Sequence, residues 1–197
     1  MRLDLGCGTR PLEGYVGVDL PLDETMPGTG LETFQTYVDD SGIVRFDLAC
    51  GIPWPFESGS IEGLFSSHAI EHLPARRISV YEWVTGTLNQ RLLSCTGTQD
   101  ALFWFLDEAD RICKPGAEFR LRWPALRDAR TGELQTTPFL DPTHYRFIPA
   151  EQHLYWYRAG RKALGVSQYR VRCNWVPKSR TQRELGGGAM RVVEEEF

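Results

Sequence analysis

Hydrophobic and polar positions along the 197-residue chain change period several times, and the changes mark its elements. Leu3 and Leu5 alternate with Arg2 and Asp4 and run into Gly6-Cys7-Gly8, which reads as a strand stopping at a glycine turn where backbone approaches a ligand closely. A second apolar run, residues 15–19 (YVGVD), ends in Asp19. Pro11 and Gly14 lie between the two, so at most a turn or two joins them and the first crossover helix is short or absent. Residues 21–42, rich in Pro, Gly and acids, read as a loop with one short helix over 31–38. A third strand over 43–46 ends at Asp47-Leu48, a punctuated loop covers 49–62, and a fourth strand spans 63–67, with Ser67 as the N-cap of a following helix.

The stretch 80–110 is the main helical candidate, although Gly86 and Thr96-Gly97-Thr98 divide it. Its last part, ALFWFLDEADRIC, carries apolar residues at 102, 103, 105, 106, 109 and 112, a helical period with one buried face. Lys114-Pro115-Gly116 is a stop signal, and 117–123 (AEFRLRW) alternate as a fifth strand. After a long connection over 124–150, a helix is expected over 150–163, a strand near 167–175, a glycine turn at 186–188 and a final strand over 190–196. Alternating strands and helices predict an α/β fold, doubly wound around a mostly parallel sheet, whose last two strands pair antiparallel.

Length and a 42% hydrophobic content suit one domain over 1–197 with a full core. No run of 18 apolar residues occurs, and a first strand starting at Arg2 leaves no room for a signal peptide, so a cytoplasmic protein that meets no membrane is expected. Five cysteines without a C-x-x-C pair signal neither a disulfide framework nor a cysteine zinc site. The net charge of −4 hides an asymmetry: residues 1–110 hold 6 basic and 17 acidic groups, residues 111–183 hold 15 and 5. A basic half suits an anionic partner such as a nucleotide or nucleic acid; the plainer reading is that the two halves neutralise each other.

The chemistry is concentrated at the strand ends. A dinucleotide-type G-x-G-x-x-G turn would need glycine where Pro11 stands, and its acidic residue about 20 residues on, whereas Asp19 follows Gly8 by eleven. What survives is a nucleoside site, with a glycine turn that admits the ligand and a carboxylate that accepts two ribose hydroxyls. His68-Ala-Ile-Glu71-His72 also matches H-x-x-E-H, an inverted zinc-protease signature, but its setting at the end of a parallel strand argues against a zinc hydrolase, and no metal is expected.

LDLGCG, then VGVDL, then FDLACGIPWPFESGSIEGLFSSHAIEHL, then FLDEADRICKPGAEFRLRWP resemble the successive motifs of small class I methyltransferases that use S-adenosylmethionine (SAM), over nearly the whole chain to residue 147. The resemblance implies a seven-stranded sheet, six strands parallel and the last reversed, with a SAM-binding half over 1–123 and a substrate-side loop and C-terminal hairpin over 124–197. It implies that Asp4, Gly6, Cys7 and Gly8 surround the methionine end of SAM, that Asp19 holds the ribose, that Asp47 and Leu48 meet the adenine, and that Ser67 and His68 sit near the sulfonium. His68 and His144 are the candidate bases, since imidazole titrates near neutral pH. Asp141 and Arg146, in the cluster DPTHYRF, are candidate substrate-binding residues, Arg146 through bidentate pairing with a phosphate. The expected activity is methyl transfer to a small-molecule or nucleotide-type acceptor. The alternative is a catalytically silent binding or assembly protein on the same fold.

Overall fold

The computed structural model describes residues 1–21, 36–85, 91–166, 171–185 and 190–197. Five strands run parallel: β1 (Arg2–Leu5), β2 (Val16–Asp19), β4 (Val44–Arg45), β5 (Ile61–Ser67) and β8 (Cys113–Pro124). The two-residue β3 (Tyr37–Val38) adds antiparallel to β4 at one edge. At the other edge β10 (Met190–Glu196) runs antiparallel between β8 and β9 (Ser179–Leu185), giving the order β3-β4-β2-β1-β5-β8-β10-β9. The sheet therefore has eight strands where the resemblance implies seven: six run in one direction, and β3 and β10, the last strand of the chain, are reversed. Residues 6–15, between β1 and β2, form turns and irregular chain and no helix, so the first crossover helix is absent, as Pro11 and Gly14 require.

The helix α1 (Ala101–Ile112) is where its period predicts, capped by the Asp100 carboxylate, which accepts from the Leu102 amide at 3.0 Å. Leu102, Phe105, Leu106, Ala109 and Ile112 bury against Leu3, Leu5, Leu64, Phe119 and Leu121 of the central strands. Leu and Phe at these spacings leave little of the helix exposed, and its buried carboxylates Asp107 and Glu108 are both engaged. Asp107 accepts from the amides of Arg172 and Cys173 at 2.8 and 2.7 Å and so fastens the segment before β9 to the helix. Glu108 accepts from the Trp54 amide at 2.7 Å and from Arg111, whose guanidinium also donates to the carbonyls of Trp54 and Phe56. This network holds the loop after β4 against α1.

Several expected elements differ. The described residues of 77–100 are not helix but a separate antiparallel pair of strands, β6 (Arg77–Thr85) with β7 (Arg91–Asp100). Its composition, with Ile78, Val80, Tyr81, Trp83, Thr96 and Thr98, is β-branched and aromatic, which favours strands once a partner strand is within reach. The helix expected after Ser67 is a single 3-10 turn, Ile70–His72, because Pro74 stops it. Lys114-Pro115-Gly116 does not end the helix; α1 passes directly into β8, and these residues bulge out where Ile61 pairs with Cys113 but Gly63 pairs with Glu118. The helix over 150–163 is a 3-10 turn, Ala150–Tyr155, followed by the short α2 (Arg158–Ala163). The strand expected near 167–175 lies partly outside the described residues; 171–175 is irregular chain held at Arg172 and Cys173 by Asp107, and the strand comes later as β9. Most of the short helix expected over 31–38, and the glycine turn at 186–188, also lie outside the described residues.

Replacing Glu108 with Ala strips a buried carboxylate from the Trp54 amide and from Arg111. It should lower unfolding free energy by about 1–3 kcal/mol in urea titration, and Glu108→Gln, which keeps an acceptor, by less. An unchanged midpoint for Glu108→Ala would show that the network carries no stability.

Candidate functional site

The sheet order reverses between β1 and β5: from β1 the chain goes outward to β2, and later returns to build β5 on the other side. Open α/β sheets bind ligands at the carboxyl ends of the strands at such a point. A pocket of about 420 Å³ lies there, lined among others by Gly6, Gly8, Asp19, Asp47, Leu48, His68, Ala69, His72 and Arg76. Its size falls in the range of small-ligand sites. A larger cleft of about 550 Å³ lies between residues 126–132 and β9, away from these strand ends, and contains none of the expected site residues.

The glycine turn is shaped by two different needs. Gly6 has φ +72°, and a Cβ there would lie 2.4 Å from the Ala69 Cβ, so the loop after β5 sits directly against it. Gly8 has φ +62°, but a Cβ there would meet nothing within 4 Å, so its backbone borders open space. Asp19 closes the turn, its carboxylate accepting from the amides of Gly8 and Leu20. A carboxylate has about four acceptor positions, which leaves two for other donors. Asp47 uses one oxygen to accept from the Ala49 amide at 2.8 Å, and the crowding of the pocket walls raises its carboxyl above the usual range, with Arg76 pulling the other way.

Three residues expected at the ligand do not line the pocket. Asp4 is buried and accepts from the Leu12 amide at 2.8 Å, holding the turn that stands in for the first crossover helix; burial pushes its carboxyl up. Cys7 packs beneath Gly17, where a Cβ would lie 2.6 Å from its sulfur, and burial raises its thiol to about 11. Ser67 ends β5, just short of the pocket.

His68 is the one described non-glycine residue with positive φ, +56°. Such a backbone costs energy and marks sites where side-chain direction matters. Its Nδ1 lies 3.1 Å from Glu71 Oε1, and its Nε2 is buried with no partner. The 3-10 turn that carries Glu71 is in turn pinned from across the molecule: the Glu71 carbonyl accepts from the amides of Tyr145 and Arg146. His144, in that same loop, donates from Nδ1 to the Pro138 carbonyl and packs its ring 4.7 Å from that of His72. It touches the pocket only through His72.

Asp141 is exposed and accepts from the amide and hydroxyl of Thr143. Arg146 is committed elsewhere: it donates to the carbonyls of Leu73 and Pro74 and pairs with the α1 cap Asp100 at 3.0 Å. It braces the pocket wall and is not held free for a phosphate. Ala69, Arg76 and Ile78, which also line the pocket, carry no motif in the sequence, and His72 stands out there only in H-x-x-E-H, within a stretch expected to begin a helix at Ser67. The Arg76-Arg77 pair beside a proline was the signal available.

No protein-family model matches the sequence, and no curated protein matches it. Among solved structures, the chain is similar to a SAM-dependent methyltransferase from Archaeoglobus fulgidus, at 14% identity over 100% of this chain and 85% of that one, with a TM-score of 0.48. It is similar also to a SAM-dependent methyltransferase from Aquifex aeolicus, at 12% identity over 99% of this chain and 80% of that one, TM-score 0.44. A third likeness is to the 1,6-didemethyltoxoflavin-N1-methyltransferase of Burkholderia thailandensis, solved with bound 1,6-didemethyltoxoflavin and S-adenosylhomocysteine, at 11% identity over 99% of this chain and 68% of that one, TM-score 0.48. These likenesses concern the fold. What this chain binds has to be read from its own pocket.

The two glycines should respond differently to the same change. Gly8→Ala strains only the backbone and should cost about 1–2 kcal/mol, while Gly6→Ala adds a clash with Ala69 and should melt clearly lower. Equal melting temperatures for the two variants would contradict the close contact of the two loops.

Proposed function

We propose that the pocket binds S-adenosylmethionine and that the protein transfers its methyl group to a small-molecule acceptor. The single observation that carries this reading is the convergence of Gly8, Asp19 and Asp47 on one pocket at the switch point of the sheet. Open backbone at Gly8 fits the close approach of an amino-acid tail, and the two unused acceptor positions of Asp19 suit the ribose hydroxyls. Asp47 has a free oxygen for an exocyclic amine, and the Leu48 amide, next to it, suits a ring nitrogen. When bound, the cofactor supplies an electrophilic methyl carbon on a sulfonium.

The protein's share of such a displacement is to hold two reactants in line and exclude water. His68 suits a further task. Its Nδ1–H donates to Glu71, which leaves the lone pair on the buried, unpartnered Nε2 to take a proton from an acceptor that still carries one. Glu71 fixes the ring and offsets the charge that forms on it. His144 acts at one remove, through its contact with His72.

A small acceptor is favoured over nucleic acid by what the basic half of the chain does. Arg111, Lys114, Arg122, Arg146, Arg172, Lys178 and Arg180 each face a carboxylate, and Arg161 donates to the carbonyls of Tyr155 and Cys173. Seven of the fifteen basic groups in 111–183 are thus paired within the fold. Among the described residues no helix is long and apolar enough to cross a membrane.

S-adenosylhomocysteine at 100 times its Kd should stabilise the protein by about 2.7 kcal/mol, read as a rise in melting temperature. Asp19→Ala should abolish that rise, and no rise for the parent protein at millimolar ligand would sink the reading. His68→Ala should keep the rise yet slow methyl transfer, followed with labelled cofactor and fractionated small molecules, by about 10²-fold or more. Binding without transfer to any fraction would favour the catalytically silent alternative.

A further inference from the structure

Among the described residues the H-x-x-E-H stretch does not supply both its histidines to one donor group: His68 bonds to Glu71 through Nδ1 and stands outside that group. Instead Glu71, His72 and His144 each bring one donor atom into a group whose members all lie within 4.8 Å of one another. Three further observations concern the same residues. His72 directs Nδ1 at the Thr143 carbonyl, 3.1 Å away, and His144 directs Nδ1 at the Pro138 carbonyl, 2.9 Å away. A ring that donates Nδ1–H to a backbone carbonyl carries its lone pair on Nε2, the arrangement that fixes tautomer and direction in metal-ligating histidines. Glu71 is 2% exposed, yet its Oε2 has no hydrogen-bond partner, an uncommon condition for a buried carboxylate.

We propose that Glu71, His72 and His144 form a site for a divalent transition-metal ion of the zinc class at the edge of the pocket. Two imidazole nitrogens and one carboxylate oxygen are the donor set of open zinc centres, and they favour zinc or cobalt over the all-oxygen preference of magnesium. Bonds of about 2.0–2.1 Å put tetrahedral donors roughly 3.3 Å apart, so the ion would draw the three side chains together. Asp141 Oδ2, 3.7 Å from His144 Nε2, is the nearby rival for that nitrogen. A hydrogen-bonded histidine pair beside Asp141 accounts for the rings but not for the unpartnered Glu71 oxygen. Three protein ligands leave a coordination position, and His72 belongs also to the pocket lining. On the methyltransfer reading, an oxygen or nitrogen of the acceptor would take that position, which would orient it and lower its pKa.

Chelator-treated protein titrated with cobalt(II) chloride tests the site, because cobalt bound to nitrogen and oxygen in a low-symmetry site absorbs visibly. The expected result is one equivalent of cobalt, displaced by zinc chloride and not by magnesium chloride, with affinity at least tenfold lower in Glu71→Gln and in His144→Ala. His144→Ala should keep the melting rise with S-adenosylhomocysteine, which shows that the fold and the nucleoside pocket survive. No cobalt spectrum in the parent protein, the same affinity in His144→Ala, or displacement by magnesium overturns the proposal. Cobalt binding does not depend on S-adenosylhomocysteine binding, so a failure of either is seen separately.

Discussion

The ends of β1 and β5 meet at Gly6 and Ala69, so closely that a methyl group on Gly6 would lie 2.4 Å from the Ala69 Cβ. Much of the site follows from that contact. It seats the loop after β5 across the glycine turn after β1, and it turns the chain at His68 into a conformation that non-glycine residues seldom adopt. From there the next two polar side chains, Glu71 and His72, project toward the loop at 141–147, whose amides at Tyr145 and Arg146 hold the Glu71 carbonyl. Strand ends, turn and distant loop form one connected piece of structure, and the pocket is the space they leave.

The bracing of this piece takes up charged side chains that are then not open to a ligand. Arg146 ties the wall at Leu73 and Pro74 to the cap of α1, and Asp4 holds the short connection that replaces a first crossover helix. A full helix after the glycine turn would satisfy its own backbone; a turn of this length depends on a buried carboxylate to accept the Leu12 amide. The cost of burying Asp4 is the cost of the shortened crossover.

The central sheet was legible in the sequence because its signals are local and strong. Glycines after an apolar run, an acid at the end of the next one, and the helical period of residues 102–112 each survive any tertiary context. The switch-point residues Gly6, Gly8, Asp19, Asp47 and His68 came with them. The strand pair β6–β7 was not legible, since its apolar positions fit a broken helix as well as two strands, and only the pairing of the two strands separates these. Losing the strand pair hid Arg76 and Ile78. Cys7 and Asp4 lie outside the pocket lining for another reason: Asp4 is a buried residue of β1 and Cys7 turns under Gly17, and spacing alone does not say which way either side chain faces. The grouping of His72 with His144, far apart in sequence, depends on a loop docking that no local pattern encodes.

The roles given to Asp19, Asp47 and His68 all depend on where a nucleoside sits. A crystal structure of the protein with S-adenosylhomocysteine is the most direct measurement: the ribose should hydrogen-bond to Asp19, with the adenine beside Asp47 and Leu48 and the sulfur toward His68. A ligand found instead in the cleft between residues 126–132 and β9, or a pocket left vacant at saturating concentration, would contradict it.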